Sequence, residues 1–236
     1  MSLRAVAARA GRGLLGDDLY SRLKARSQHE YRFLRHVRGV IHVGANTGQE
    51  AELYQSFGLD VVWVEPIPEI FEKLHRHVAR FRAQAAFRYL VTDEDCKDCL
   101  LHVANNDGAS SSILDFRAHS EMWPDVQYTH SIVVKSVTLG TLVSRENIDV
   151  ERFDALILDT QGSELRILRG AAELLSNFRF IKAEVPDFEA YRGCGRVAEL
   201  SAFMLSKGFR EYCRVPFMHT PGVGTYFDVV YKRQRP

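Results

Sequence analysis

Hydrophobic and polar residues along this chain alternate between short apolar runs and longer amphipathic stretches. Runs rich in β-branched residues lie at 40–43, 61–64 and 155–158, and each is followed by a polar turn and then by apolar residues at helical spacing. The runs predict buried strands and the stretches after them predict helices. Repeated strand–helix units predict a mostly parallel sheet with helices on both faces, because a parallel crossover needs a helix-length connection.

The full pattern predicts one domain preceded by a helical segment. The predicted strands are 40–43, 61–64, 87–91, 100–103, 155–158, 180–185, 209–213 and 226–231, and the predicted helices are 50–57, 68–81, 139–145, 164–175 and 198–207. We expect the last two strands to form an antiparallel pair at one edge of the sheet. Residues 113–136 have poor periodicity and are interpreted as a lid or an acceptor-binding insert. Residues 1–38 are predicted to be helical, and residues 39–236 to form the domain.

Composition and charge exclude several classes of protein. With 236 residues, of which 46% are hydrophobic and 26% charged, the chain has the balance of one globular domain. A net charge of +1 provides no global attraction to nucleic acid. Residues 1–40 hold nine basic and three acidic side chains, a local charge of +6. We interpret this segment as a solvated face, with a peripheral membrane contact as the alternative.

The sequence contains no targeting signal and no complete zinc-binding motif. The sequence has no apolar run of transmembrane length and no secretory signal, so a cytoplasmic location is expected. Its four cysteines are Cys96, Cys99, Cys194 and Cys213. The C-x-x-C pair has no second pair of ligands at zinc spacing, so we interpret the cysteines as reduced thiols and expect no metal there.

Three predicted strands end in polar residues that suit a single ligand. The first is followed by the loop 44–48, the second ends at Glu65, and the strand 155–158 ends at Asp159. Ligands of open α/β sheets bind at the carboxyl ends of the strands. Glycines allow close approach of a ligand, and an acidic residue about twenty positions later can accept hydrogen bonds from both ribose hydroxyls. This combination predicts a nucleoside cofactor and leaves its identity open.

The spacing of the loop discriminates among nucleotide cofactors. Dinucleotide sites use G-x-G-x-x-G, and Asn46 stands where the second glycine would be. A phosphate-binding P-loop also fails, because Gly48 is followed by Gln49 and Glu50 instead of Lys and Ser or Thr. The loop therefore favours a ligand without phosphates, and NAD is the less favoured alternative.

Four motifs in order resemble the FkbM family of methyltransferases. They are Val43-Gly44-Ala45-Asn46-Thr47-Gly48-Gln49, Val64-Glu65-Pro66, Ala109-Ser110-Ser111-Ser112, and Asp159-Thr160-Gln161-Gly162-Ser163-Glu164 continuing to Leu168 and Gly170. The resemblance implies a Rossmann-like class I methyltransferase fold, an α/β fold with a mostly parallel seven-stranded sheet, an antiparallel last strand and helices on both faces. It also implies S-adenosylmethionine as cofactor and O-methylation, often of sugars.

The resemblance assigns cofactor contacts to particular residues. They are Gly44, Ala45, Asn46, Thr47, Gly48, Glu65, Pro66, Asp159 and Gln161. Gly44, Asn46 and Gly48 would lie along the methionine part of the cofactor, and Glu65, with Pro66 beside it, would bind the ribose. Some related sugar methyltransferases use a divalent metal, which would place a magnesium ion near Asp159. The family pattern has an acidic residue where this chain has His42. We expect Glu50 to take over the attraction for the positively charged end of the cofactor, and His42 to contribute less.

Transfer to a hydroxyl oxygen needs a general base within hydrogen-bond reach of the acceptor. The candidates are Asp159 and Glu184, each predicted at a strand end, followed by His219 in a late polar segment. The predicted function is O-methylation of a sugar, glycan or related small polar acceptor. A non-catalytic nucleoside-binding module and an NAD-dependent oxidoreductase are the alternatives. Neither the acceptor nor the oligomeric state can be read from the sequence.

Overall fold

The computed structural model describes residues 30–234. The predicted helices before residue 30, and with them the membrane contact considered for that segment, lie outside the described residues. Within 30–38, residues Arg32–His36 form a short 3₁₀ turn that buries Phe33 and Leu34 against the domain.

Ten strands and six α-helices follow in chain order. The strands are β1 Gly39–Val43, β2 Asp60–Val64, β3 Gln84–Phe87, β4 Leu90–Val91, β5 Asp98–Ala104, β6 Tyr128–Val137, β7 Ala155–Leu158, β8 Phe180–Pro186, β9 Phe209–Thr220 and β10 Gly224–Arg233. The helices are α1 Ala51–Ser56, α2 Pro68–Val78, α3 His119–Met122, α4 Leu139–Arg145, α5 Glu164–Gly170 and α6 Val197–Ser206.

Seven strands form the main sheet in the order β3-β2-β1-β7-β8-β10-β9. The first five pair in parallel, whereas β10 is antiparallel to both of its neighbours. The α/β class, the mostly parallel seven-stranded sheet and the antiparallel last strand are therefore confirmed. The β9–β10 hairpin forms one edge of the sheet, as the sequence predicts.

A second sheet of three strands, in the order β4-β6-β5, was not predicted. The predicted strand 87–91 is wrong in extent, because the chain leaves the main sheet after β3 and enters the small sheet at β4. The expectation of an irregular segment over 113–136 is also wrong for its second half, where β6 pairs along β5. Most positions of β6 are exposed or half-buried, so the strand lacks the alternation that would reveal it.

Two apolar clusters, one on each face of the main sheet, form the core. Alternate residues of β1 divide between them: Ile41 and Val43 pack in the cluster that includes residues of α4, α5 and α6, and Val40 packs in the cluster that includes residues of α1 and α2. This is the two-sided burial expected of a parallel sheet covered by helices. Because β1, β2, β7 and β8 are parallel and adjacent, their carboxyl ends meet at one edge of the sheet.

Candidate active site

A cleft of about 720 Å³ lies at the carboxyl ends of β1, β2 and β7. The predicted residues that line it are His42, Gly44, Ala45, Asn46, Glu50, Glu65, Pro66, Asp159 and Gln161. Thr47, Gly48, Glu184 and His219 are outside the lining. The structure thus brings most of the predicted cofactor residues and one of the three candidate bases to one place.

The glycine loop after β1 is pressed against the end of β7. Gly44 has φ +82°, and a Cβ atom built there would lie 1.9 Å from the Asp159 carbonyl oxygen, so only glycine fits. The amides of Gly44 and Ala45 both donate to the Val64 carbonyl at 3.0 Å, and the Gly48 amide donates to the Ala45 carbonyl. These donors fix the shape of the loop and tie it to β2.

Asn46 organises the same loop with its side chain. Its backbone has φ +47°, a conformation that asparagine tolerates better than most residues. Its Oδ1 accepts from the Thr47 amide at 2.8 Å and from Gln49 Nε2 at 3.0 Å, and its Nδ2 donates to the Asp107 carbonyl at 3.0 Å. Asn46 therefore connects the glycine loop to the polar loop 105–112 across the cleft.

Glu65 is a buried carboxylate of the site, with only 5% of its surface exposed. Its Oε2 accepts from the Asn46 amide at 2.9 Å and its Oε1 from the Ile67 amide at 3.0 Å. Because an ionised carboxylate offers about four acceptor positions, each oxygen can accept a further hydrogen bond. Burial raises the pKa of Glu65 to about 7, and the two amide donors oppose that rise.

Glu164 is a second buried carboxylate, and it clamps the loop after β7. It accepts from the Thr160 amide at 2.8 Å, from the Thr160 hydroxyl at 3.0 Å and from the Gly162 amide. Burial raises its pKa to about 7 as well. The Asp159 carboxylate in the same loop accepts from the Gln161 side chain.

Glu65 and Glu164 predict a pH dependence of stability. Each has a folded-state pKa of about 7, above the ordinary glutamate value of 4.5. The folded state holds these protons more tightly, so the stabilisation is full below pH 4.5 and is lost as the pH rises through 7. We expect the ligand-free protein to lose free energy of unfolding between about pH 5 and 7.5. Denaturant unfolding should show that Glu65→Gln loses less free energy of unfolding over this pH range than the wild type. An equal loss in the two proteins would contradict a raised pKa for Glu65.

His42 belongs to a buried aromatic group on the α1 side of the sheet. Its Nδ1 lies 3.1 Å from the Tyr54 hydroxyl, and its ring stacks on Trp63 at a centroid distance of 5.1 Å. Trp63 in turn donates to Gln84 at 2.9 Å. The side chain therefore has a role in packing, although His42 also contributes to the cleft wall. Glu50, at the start of α1, lines the same wall and is half-buried.

Gln161 joins the two candidate carboxylates. Its Nε2 donates to Asp159 Oδ1 at 2.7 Å and to Glu184 Oε1 at 3.3 Å. Its Oε1 accepts from the Tyr191 hydroxyl at 2.6 Å, which directs the amide nitrogen toward the carboxylates. Ser112 donates to the Gln161 carbonyl at 2.7 Å. The network holds Asp159 at the cleft and Glu184 behind Gln161.

Glu184 and His219 are not where the sequence placed them. Glu184 was predicted at a strand end, but β8 continues to Pro186, and Glu184 is buried within the strand opposite Asp228. His219 was expected in a loop, but it is on strand β9, where its Nδ1 lies 2.9 Å from the Thr225 hydroxyl oxygen. The error at His219 arises because β9, predicted over 209–213, continues to Thr220. Strand β8 follows its predicted range 180–185 closely, and Glu184 lies two residues before its end.

Tyr191 is a site residue that the sequence analysis missed. It stands in the loop after β8, outside the recognised motifs, and no local periodicity marks it. Its ring is buried against Phe116 and His119, and these contacts bring its hydroxyl to Gln161.

An apolar wall completes the cleft opposite the glycine loop. Leu90 and Val91 of β4, Leu101 of β5 and Ile113 contribute to it, so the unpredicted small sheet forms part of the site. Such a surface suits a flat aromatic base. Within the described range 30–234, no three His, Cys, Asp or Glu side chains are grouped as candidate metal ligands.

Comparison with solved structures places the fold among methyltransferases. The 1,6-didemethyltoxoflavin-N1-methyltransferase of Burkholderia thailandensis is 11% identical, with 99% of this chain and 88% of that chain covered at a TM-score of 0.50. The N-methyltransferase NodS of Bradyrhizobium japonicum WM9 is 10% identical, with 94% and 100% covered at a TM-score of 0.50. The architecture is the Rossmann-like class I methyltransferase fold.

The chain belongs to the FkbM family of methyltransferases. The methyltransferase FkbM domain matches residues 42–211, which is most of the chain. A curated relative, 2-O-methyltransferase NoeI of Sinorhizobium fredii, is 24% identical over 162 residues. The match covers 65% of this chain and 65% of that relative's length. Across residues 30–234, no helix has both the length and the apolar character needed to span a bilayer.

Proposed function

We propose that this protein is an S-adenosylmethionine-dependent O-methyltransferase acting on a hydroxyl of a sugar, glycan or related small polar acceptor. The observation that carries the proposal is the position of buried Glu65 at the end of β2, bonded to the glycine loop and facing the same cleft as Asp159. Membership of the FkbM family and the name of the 2-O-methyltransferase relative support methyl transfer to oxygen.

The residues of the cleft fit this cofactor. Glu65 keeps acceptor positions for two ribose hydroxyls, the wall containing Leu90 and Leu101 receives the adenine, and Glu50 offers a carboxylate to the positively charged amino-acid end. When bound, S-adenosylmethionine supplies an electrophilic methyl group. The protein's own task is then to orient the acceptor hydroxyl and to take its proton.

Asp159 is the proposed general base. Its carboxylate lines the cleft, and Gln161 holds it through a hydrogen bond of 2.7 Å. Glu184, which is outside the cleft lining, accepts a hydrogen bond from the same Gln161 amide nitrogen. In this arrangement Glu184 and Gln161 position Asp159, and Tyr191 fixes the direction of the amide. His219 has no part in the proposed mechanism because it lies outside the cleft lining.

The first test is ligand binding. We expect S-adenosylhomocysteine to raise the melting temperature of the purified protein, since a ligand at 100 times its dissociation constant adds about 2.7 kcal/mol of stability. NADH should leave it unchanged. A mass-spectrometric screen for methylated products, run over sugars, glycans and other hydroxyl acceptors, then tests the reaction. Binding without any transfer would favour the non-catalytic module, and stabilisation by NADH alone would favour the oxidoreductase.

Tyr191→Phe tests the positioning network. Phenylalanine keeps the ring contacts with Phe116 and His119 but removes the hydroxyl that fixes Gln161. We expect turnover to fall about tenfold, with the affinity for S-adenosylhomocysteine unchanged, since a lost buried hydrogen bond costs about 1–3 kcal/mol. The acidic limb of the pH–rate profile should shift. The exposed Tyr212→Phe is the matched control, and a loss of thermal stability with no change in turnover or profile would rule out a positioning role.

A further inference from the structure

A second cleft, of about 930 Å³, lies on the other side of the loop that follows β7. One wall is helix α5 with Arg166 and Arg169, and the opposite wall is the segment 189–196 with Arg196. Gly162 lies between the two clefts, since its neighbours Gln161 and Ser163 line the first cleft. A molecule bound across this loop would contact both.

The second cleft has an excess of positive charge. Its two carboxylates are already engaged: Glu189 accepts from the Gly193 amide at 3.0 Å and lies 3.7 Å from Arg117. Glu199 accepts from the Arg196 amide at 2.9 Å and lies 3.9 Å from the Arg196 Nε. Among residues 30–234, no carboxylate comes within 4.0 Å of the guanidinium group of Arg166 or Arg169.

Arg166 and Arg169 share one face of α5, because residues three apart on a helix are neighbours. Arg166 is half-buried and Arg169 is exposed. The charge of Arg166 acts on Glu94 at longer range, but Glu94 is already paired with Lys97. A planar guanidinium donates paired hydrogen bonds that match the oxygens of a phosphate. Several arginines around one concave surface therefore select an oxyanion over a neutral ligand.

We propose that this cleft binds a phosphate group carried by the methyl acceptor, so that the acceptor is a phosphorylated sugar or a sugar linked to a phosphate carrier. The proposal rests on the proposed O-methyltransferase function and names its acceptor class. Segment 189–196 carries both Arg196 and Tyr191, and Tyr191 bonds Gln161 beside Asp159. A phosphate held in the second cleft would thus fix the wall that positions the base.

Calorimetric titrations of the protein saturated with S-adenosylhomocysteine test the proposal. The probes are glucose 1-phosphate, UDP-glucose, glucose and pyrophosphate. We expect at least one of the two sugar phosphates to bind, glucose to bind at least tenfold more weakly, and pyrophosphate to compete. Arg166→Ala/Arg169→Ala should weaken sugar-phosphate binding about tenfold or more, since hydrogen bonds from charged donors to the phosphate would be lost. Arg76→Ala/Arg82→Ala is the control, because it removes the same charge from exposed positions outside both clefts.

The outcomes separate the acceptor from other oxyanions. Binding of pyrophosphate without either sugar phosphate would identify a site for a free oxyanion and overturn the proposal. An equal loss of sugar-phosphate affinity in the two double variants would show that net charge alone causes the effect, and this would also overturn the proposal. Affinity for S-adenosylhomocysteine is measured in the same samples. A failure of the phosphate site with that affinity intact is therefore distinguishable from a failure of the methyltransferase proposal.

Discussion

Glu65→Gln is expected to weaken S-adenosylhomocysteine binding about 100-fold, because two hydrogen bonds from ribose hydroxyls to a charged acceptor would be lost or weakened. The amide would also turn an N–H₂ group toward the backbone amide of Asn46 or of Ile67, both of which now donate to the carboxylate. Isothermal titration calorimetry gives the dissociation constants. The exposed Glu69→Gln on α2 should bind as the wild type does.

The same titration also measures how many protons Glu65 releases when the ligand binds. Burial raises the pKa of the Glu65 carboxyl to about 7, while hydrogen bonds from ribose favour its ionised form. Binding near neutral pH should therefore release protons in the wild type, and the heat should vary with the ionisation enthalpy of the buffer. The Glu65→Gln variant should release fewer protons on binding. An affinity loss of less than about threefold, or equal proton release in both proteins, would place the ribose elsewhere.

The sheet and the location of the site were predictable because local signals agreed with the fold. The runs at 61–64 and 155–158 coincide with β2 and β7, apart from one residue, since buried parallel strands are short and uniformly apolar. The glycine loop, Glu65 and Asp159 meet in the cleft because parallel strands end at one edge.

The acceptor side of the site depends on contacts that leave no local pattern. Strand β6 is exposed or half-buried over most of its length and pairs with β5, so its sequence lacks the alternation typical of a strand. Tyr191 reaches Gln161 only because its loop packs on Phe116, which lies 75 residues earlier in the chain. The charge of the second cleft likewise depends on which carboxylates pair with Arg117 and Arg196.

Asp159→Asn is expected to reduce turnover by at least about 100-fold, which is the usual contribution of a general base. The asparagine side chain has nearly the same shape, and its oxygen can still accept from Gln161 Nε2, so the loop should keep its conformation. The amide cannot take the proton of an acceptor hydroxyl at neutral pH. The rate of product formation, measured by mass spectrometry with a hydroxyl acceptor from the screen, tests this. The acidic limb of the pH–rate profile should disappear.

Glu184→Gln and Asp98→Asn complete the experiment. Glu184 also accepts from the Gln161 amide but is outside the cleft lining. The turnover of Glu184→Gln should therefore fall about tenfold or less, because only the position of Asp159 is affected. Asp98 is exposed on the small sheet, and its variant should be fully active. All three variants should bind S-adenosylhomocysteine with wild-type affinity. Normal turnover in Asp159→Asn would remove it as the base, and a larger loss in Glu184→Gln than in Asp159→Asn would exchange their roles. Asp159 is assigned the base because, of the two carboxylates that share Gln161, it alone lines the cleft.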